Sequence, residues 1–349
     1  AVGTGSGEKN TIGNYNTFLG RAAGFRNTSS SRNTVIGFAA MYDYLFSNAD
    51  TEFAGDNVVI GFQAASFMNS TSIGNGIRNV IIGSNAGQGS GVDPRGYNNV
   101  LIGYRSGQNM STGYSNVGIG LMSLNANSTG IDNTAVGTGS GEKNLIGSNN
   151  TFIGRSAGFN NTSSSRNTII GFDAMNQYSF SNGNVEFDAE NVVIGNEAAY
   201  NMNSTNSNNG IRNVIIGSEA GQGSGVNPRG YNNVLIGWQS GQDLSTGNRN
   251  TFVGASSGEE TTLGYFNVAV GNLSFSANTS GRENTSIGSS SMLNMTTGLQ
   301  NTAVGYQAMR GAVAGSNSYY NTAIGYNALL NIADGTFSNT AVGHRALES

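Results

Sequence analysis

The chain has 349 residues, with 53 glycines, two prolines and no cysteine; only 10% are charged and the formal net charge is −4. Ordinary globular domains carry about 25% charged residues, so this is not a conventional multidomain enzyme composition. The absence of cysteine excludes disulfides and thiolate metal sites and fits a secreted or virion protein; there is no basic stripe for nucleic acid and no apolar run near 18 residues for a membrane span.

Residues 1–10 read "AVGTGSGEKN", and the same ten residues return at 135–144. The composition suggests a phosphate loop, but the required pattern fails. Glu8 separates Gly7 from Lys9, Asn10 follows, and no helical periodicity comes after. The stretch belongs instead to a repeat. Asn is followed by Thr or Val, a variable residue, Val/Ile/Leu, Gly, two variable residues and Ala or Ser. It begins as "NTFLGRAA" at Asn16 and ends as "NTAVGHRA" at Asn339, with 18 copies in all. The commonest spacing is 17 residues, and longer steps of 24, 22 and 20 recur in that order from Asn33 and again from Asn167. The chain is therefore a tandem duplication with an offset of 134: seven-coil blocks 1–134 and 135–268, then further coils over 269–349. Such self-similarity predicts a stacked repeat architecture, because one short unit cannot bury its own apolar face.

Within one coil, the Thr/Val at the second motif position and the aliphatic at the fourth share one face of a short strand. Uniformly β-branched or aliphatic, they are the expected core, so Val136, Ile102 and Ile236 are predicted to be buried. The Gly then bends the chain and the small Ala/Ser permits close packing. Helical patterns are nearly absent; "AAMYDYL" and "NALLNIA" could supply a turn of helix at a corner. The predicted class is all-β, a parallel β-solenoid (β-roll) of about 18 stacked coils of 17–24 residues forming one continuous body. Stacking would place the motif asparagines above one another, Asn16, Asn33, Asn57, Asn79, Asn99, Asn116, Asn133, Asn150 and Asn167 among them, in an amide ladder; the alternative is that each Asn caps a local turn. A coil such as 133–149 has few large apolar residues: Val136, Leu145 and Ile146. That is thin for a free-standing solenoid, and it favours an intertwined or side-by-side homotrimer sharing a core over a single-chain solenoid.

The expanded coils carry aromatics beside acids. Residues 38–56 hold Phe38, Tyr42, Tyr44, Phe46 and Phe53 with Asp43, Asp50, Glu52 and Asp56; their counterparts at 172–190 hold Phe172, Tyr178, Phe180 and Phe187 with Glu186, Asp188 and Glu190. A second pair of expansions, 87–99 and 221–233, keeps Pro94/Pro228, Arg95/Arg229 and Tyr97/Tyr231, and Trp238 follows a motif Gly. These aromatics are either contact residues for a glycan or protein on protruding loops or staples that fix the loops to the solenoid. The acids admit Ca2+, although their spacing is not that of an EF-hand loop; no other cofactor is expected. Sequons at Asn27, Asn69, Asn161 and Asn203 matter only in a glycosylating host. A lone His344 gives no metal cluster or triad, and no enzymatic activity is expected.

The motifs "NTAVGYQAM" (301–309), "NTAIGYNAL" (321–329) and "NTAVGHRAL" (339–347) resemble two groups. One is the left-handed parallel β-roll head of trimeric autotransporter adhesins; the other, closer, is the repeat region of tail-fibre-like proteins of phages and bacteria. The resemblance covers nearly the whole chain and implies a shaft or binding head. Coils here are longer and less uniform than in adhesin heads, and no stalk, anchor barrel or chaperone sequence is seen, so anchoring and self-trimming are not carried over. The expected function is a structural fibre or adhesin rod on a cell or virion surface. Its partners would be itself, as homotrimer or polymer, and a host-surface glycan or protein, without nucleic-acid binding or membrane insertion. The alternative is an extracellular filament or sheath subunit that stacks through open solenoid ends.

Overall fold

The computed structural model describes residues 1–44, 51–68, 77–89, 96–178, 185–202, 210–223, 230–311, 317–331 and 333–348. The protein is an all-β parallel β-solenoid of about 16 turns, with no helix among the described residues. It divides into two compact units, one of residues 1–166 with 183–187, the other of 167–182 with 188–349. The division falls after Arg166, two coils past the duplication point at residue 134.

Each of the 18 motifs forms a three-residue strand that starts on the residue after its Asn. In the first unit, eight of these strands run from Thr17–Leu19 to Thr151–Ile153, paired parallel and in strict register. In the second, ten run from Thr168–Ile170 to Thr340–Val342 in the same way. The far side of the coil is barely a sheet. It offers two-residue pairs such as Ser30–Ser31 with Phe53–Ala54 and single bridges such as Tyr265 with Arg282. The backbone is paired coil to coil throughout: Val117 N donates to Asn133 O and Gly120 N to Ile102 O, both at 2.8 Å.

Which residues face inward differs from the expectation. At all 18 strands the buried residue is the middle one, the third motif position, while the second and fourth are half-buried or exposed. Leu101 and Leu235 lie in the core, and Ile102, Ile236 and Val136 do not. The third position looks variable because it exchanges volume with the residue four after the motif Gly. Where the strand centre is Phe18 or Phe252, the corner residue is Gly24 or Gly258, and a Cβ there would lie 2.2 or 2.4 Å from the ring. Where the centre is Gly118 or Ala303, the corner is the buried Leu124 or Met309. Close packing conserves the sum rather than either residue.

The corners use left-handed backbone. Besides the glycines, the residue before every motif Asn has φ between 53° and 61°, Tyr15 and Phe266 included. Such residues cost roughly 1 kcal/mol each outside glycine. Inter-coil hydrogen bonds offset that cost: Ser115 N donates to Tyr97 O at 3.0 Å and Met122 N to Tyr104 O at 2.9 Å.

Candidate functional site: the amide ladders, the outward face and an axial groove

The motif asparagines hydrogen-bond to one another along each unit. In the first, Asn33 Nδ2 donates to Asn16 Oδ1 at 3.0 Å, Asn57 to Asn33 at 3.0 Å and Asn79 to Asn57 at 3.3 Å. Asn99 reaches Asn79 Oδ1 through its backbone N–H at 2.9 Å, and the side-chain series continues through Asn116 and Asn133 to Asn150. A second series runs from Asn167 to Asn339 in the other unit. Each interior Oδ1 also accepts the next Asn backbone N–H, and most Nδ2 groups donate across the coil, as Asn133 does to Gly147 O at 2.9 Å. A buried amide so placed uses all its hydrogen-bonding capacity.

The sequence reading missed a second, shorter ladder at the position seven after the motif Gly. There Asn144 Nδ2 donates to Asn127 Oδ1 at 3.2 Å and Asn161 Nδ2 to Asn144 Oδ1 at 2.8 Å. Other coils fill this position with Met68, Met110 or Leu244, so no single residue type marks it. Asn27 and Asn161, two of the sequon asparagines, are fully buried and hydrogen-bonded, so neither can accept a glycan in the folded chain. Asn69 and Asn203 lie outside the described residues.

Several aromatics read as contact residues sit in the core. Tyr44 is 1% exposed and Tyr178 fully buried, and Phe53 is also buried. Tyr44 packs 6.2 Å from the Phe53 ring and hydrogen-bonds to the Ser30 and Asn57 side chains. Burial pushes its phenol well above the ordinary range. Tyr178 Oη donates to Gly210 O at 3.4 Å. These residues plug their expanded coils, because a longer coil leaves interior volume that a 17-residue coil does not. Tyr44→Ser is expected to cost about 3 kcal/mol, read as a lower midpoint in urea denaturation; an unchanged midpoint contradicts the plug.

Tyr42, Tyr97, Phe187 and Tyr231 are half-buried and Trp238 is exposed. Tyr97 stacks on Tyr114 at 4.6 Å, and Arg249 lies over Tyr231 at 5.3 Å. Phe46, Phe180, Asp50, Pro94, Arg95, Pro228 and Arg229 lie outside the described residues. The nearby acids are engaged: Arg26 pairs with Asp43 at 2.9 Å, Arg32 with Asp56 at 2.8 Å and Arg212 with Glu190 at 3.0 Å. Glu52 accepts a hydrogen bond from the Ser31 hydroxyl, which holds its carboxyl below the usual range. The lone His344 is exposed and stacks on Tyr326 at 5.2 Å.

Two surface features stand out among the described residues. The first is the outward face of the strands. Its 36 positions, two per strand, hold only Thr, Val, Ile and Leu, in a chain rich in Asn, Ser and Gly. The second is a groove of about 530 Å³ along the first unit, built from equivalent positions of four successive coils. One wall comes from the residue after the motif Gly, Arg21 and Phe38; the other from the residue five after it, Glu8, Phe25 and Tyr42. Gly5, Ala22 and Ala39 form the floor, and the fourth coil brings Gln63 to the same column. No family model, no curated protein and no solved structure matches this chain.

Proposed function

We propose that this protein is a structural fibre or adhesin rod of a cell or virion surface, whose solenoid associates with two further copies through the outward strand face. The observation that carries the proposal is the uniformity of that face. Eight strands about 4.8 Å apart present roughly 350 Å² of Thr, Val, Ile and Leu on the first unit alone. The largest apolar patch of an ordinary monomer covers about 300–600 Å² and is often functional, so the face of one unit already reaches the size of an interaction surface. Charged residues are free to appear on a solvent face, and none of the 36 positions has one. The motif resemblance to trimeric adhesin heads and tail-fibre repeats supports the same reading.

Light scattering on the purified chain is expected to give a discrete trimer. Ile102→Asp and Ile236→Asp place a charge on this face without entering the core, so each is expected to leave the circular dichroism spectrum intact and yield a monomer. A monomeric parent, or a trimer unaffected by both substitutions, overturns the proposal. Indefinite polymers in negative stain instead favour a filament subunit that stacks end to end.

A further inference from the structure

We propose that the axial groove of the first unit binds a neutral oligosaccharide, which gives the attachment reading above a ligand class. The groove is complete within one unit of one chain, so it does not depend on the oligomeric state. Four observations point to this occupant. The walls are aromatic and accessible: Phe38 is 42% exposed and Phe67 38%, and Phe25 stacks on Tyr42 at 5.0 Å. Aromatic rings with hydroxyl and amide neighbours suit the mixed C–H and O–H surface of a sugar, where orientation comes from a few placed polar groups. The lining carries one guanidinium, Arg21, lying over the Phe38 ring at 5.7 Å, and one carboxylate, Glu8, so its formal charge cancels. That balance selects against strongly anionic or cationic chains. Third, Ser66 lines the groove at only 3% exposure, and its Oγ has no hydrogen-bond partner. A buried hydroxyl left unpaired costs free energy, and it leaves this end of the groove short of a polar partner. Fourth, the same side-chain positions recur at each coil, roughly every 4.8 Å. That is about the rise of one pyranose ring in an extended β-linked chain, so four coils accommodate three or four sugars.

The floor supplies a test that spares the fold. Its column is left-handed in every coil, with Ala22 at φ 55° and Ala39 at 49°, yet Gln63 sits there at 51° and Gln239 at 54°. The solenoid therefore accepts Gln at this position, and A22Q/A39Q fills the groove with side chains that other coils already carry. Isothermal titration of the intact chain with cellotetraose, chitotetraose, mannotetraose and laminaritetraose, and with a heparin tetrasaccharide as the anionic probe, reads binding directly. At least one neutral tetrasaccharide is expected to bind, with affinity falling at least tenfold in A22Q/A39Q while the melting temperature holds. Phe38→Ser, a residue type found in this column at Ser84 and Ser218, is expected to give a similar loss and serves as the second variant if A22Q/A39Q does not fold. Failure of all four neutral probes, binding of the heparin probe alone, or affinity unchanged in the folded variants overturns the proposal. A monomer in light scattering that still binds sugar removes the trimer and leaves the groove standing.

Discussion

Gly325→Ala is expected to destabilise the second unit by roughly 4 kcal/mol or more, and Gly343→Ala, one coil away, by much less. Both glycines have the same unusual backbone, φ 137° and 128°, a region that essentially only glycine occupies. They differ in what lies above them. A Cβ on Gly325 would sit 2.3 Å from the Gly343 carbonyl oxygen, whereas nothing lies within 4 Å of a Cβ on Gly343. The difference between the two variants therefore separates the clash of stacking from the strain of conformation. The same geometry recurs up the column: a Cβ on Gly120 would be 2.4 Å from Gly137 O, and one on Gly254 2.4 Å from Gly271 O. Urea denaturation followed by circular dichroism measures it. Equal losses at Gly325 and Gly343 would mean that backbone strain alone keeps the motif glycine.

Asn133→Ala is expected to cost roughly 5 kcal/mol, more than a typical core truncation, although it removes only a small polar group. Asn133 is fully buried. Its Nδ2 donates to Asn116 Oδ1 at 3.0 Å and to Gly147 O at 2.9 Å; its Oδ1 accepts Asn150 N at 3.0 Å and Asn150 Nδ2 at 3.1 Å. Alanine leaves these partners without water to replace the lost bonds, and each unsatisfied buried group costs about 1–3 kcal/mol. The penalties overlap, because the neighbouring coils relax together. Asn125→Ala is the control, since that amide lies outside the ladder and donates to Arg105 O at 3.0 Å. A similar loss in both would place the cost in general packing rather than in the ladder.

Much of this architecture could be read from the chain because the repeat is long and its punctuation invariant. The asparagine column, the parallel all-β class and the coil spacing follow from Asn, Gly and the 17-residue step. The inside and outside of the strand do not. Pattern reading assigns uniform aliphatic positions to a core, and here Ile102 and Val136 are uniform but lie on the outward face of the strands. The true core position varies from Phe18 through Leu101 to Gly118 because its volume is shared with a corner residue several positions away. Tyr44 and Tyr178 left two readings open, contact residue or staple, and their burial agrees with the second. Aromatics in an insertion look like a protruding loop, but an insertion also enlarges the interior it spans. The groove was illegible for a different reason: Phe25, Phe38 and Tyr42 belong to different coils, and only stacking makes them neighbours.

The hydrogen bonds of each unit run from coil to coil, along the direction in which the coils are stacked. A pull along that direction loads them in series. The three-residue strand of one coil, its asparagine and its corner carry the whole tension, and seven or nine further steps add reach without adding strength. Such a unit gives way at its weakest coil and pays out chain one turn at a time. Copies joined side by side share the load in parallel, so lateral association is what would let a chain of this kind bear force.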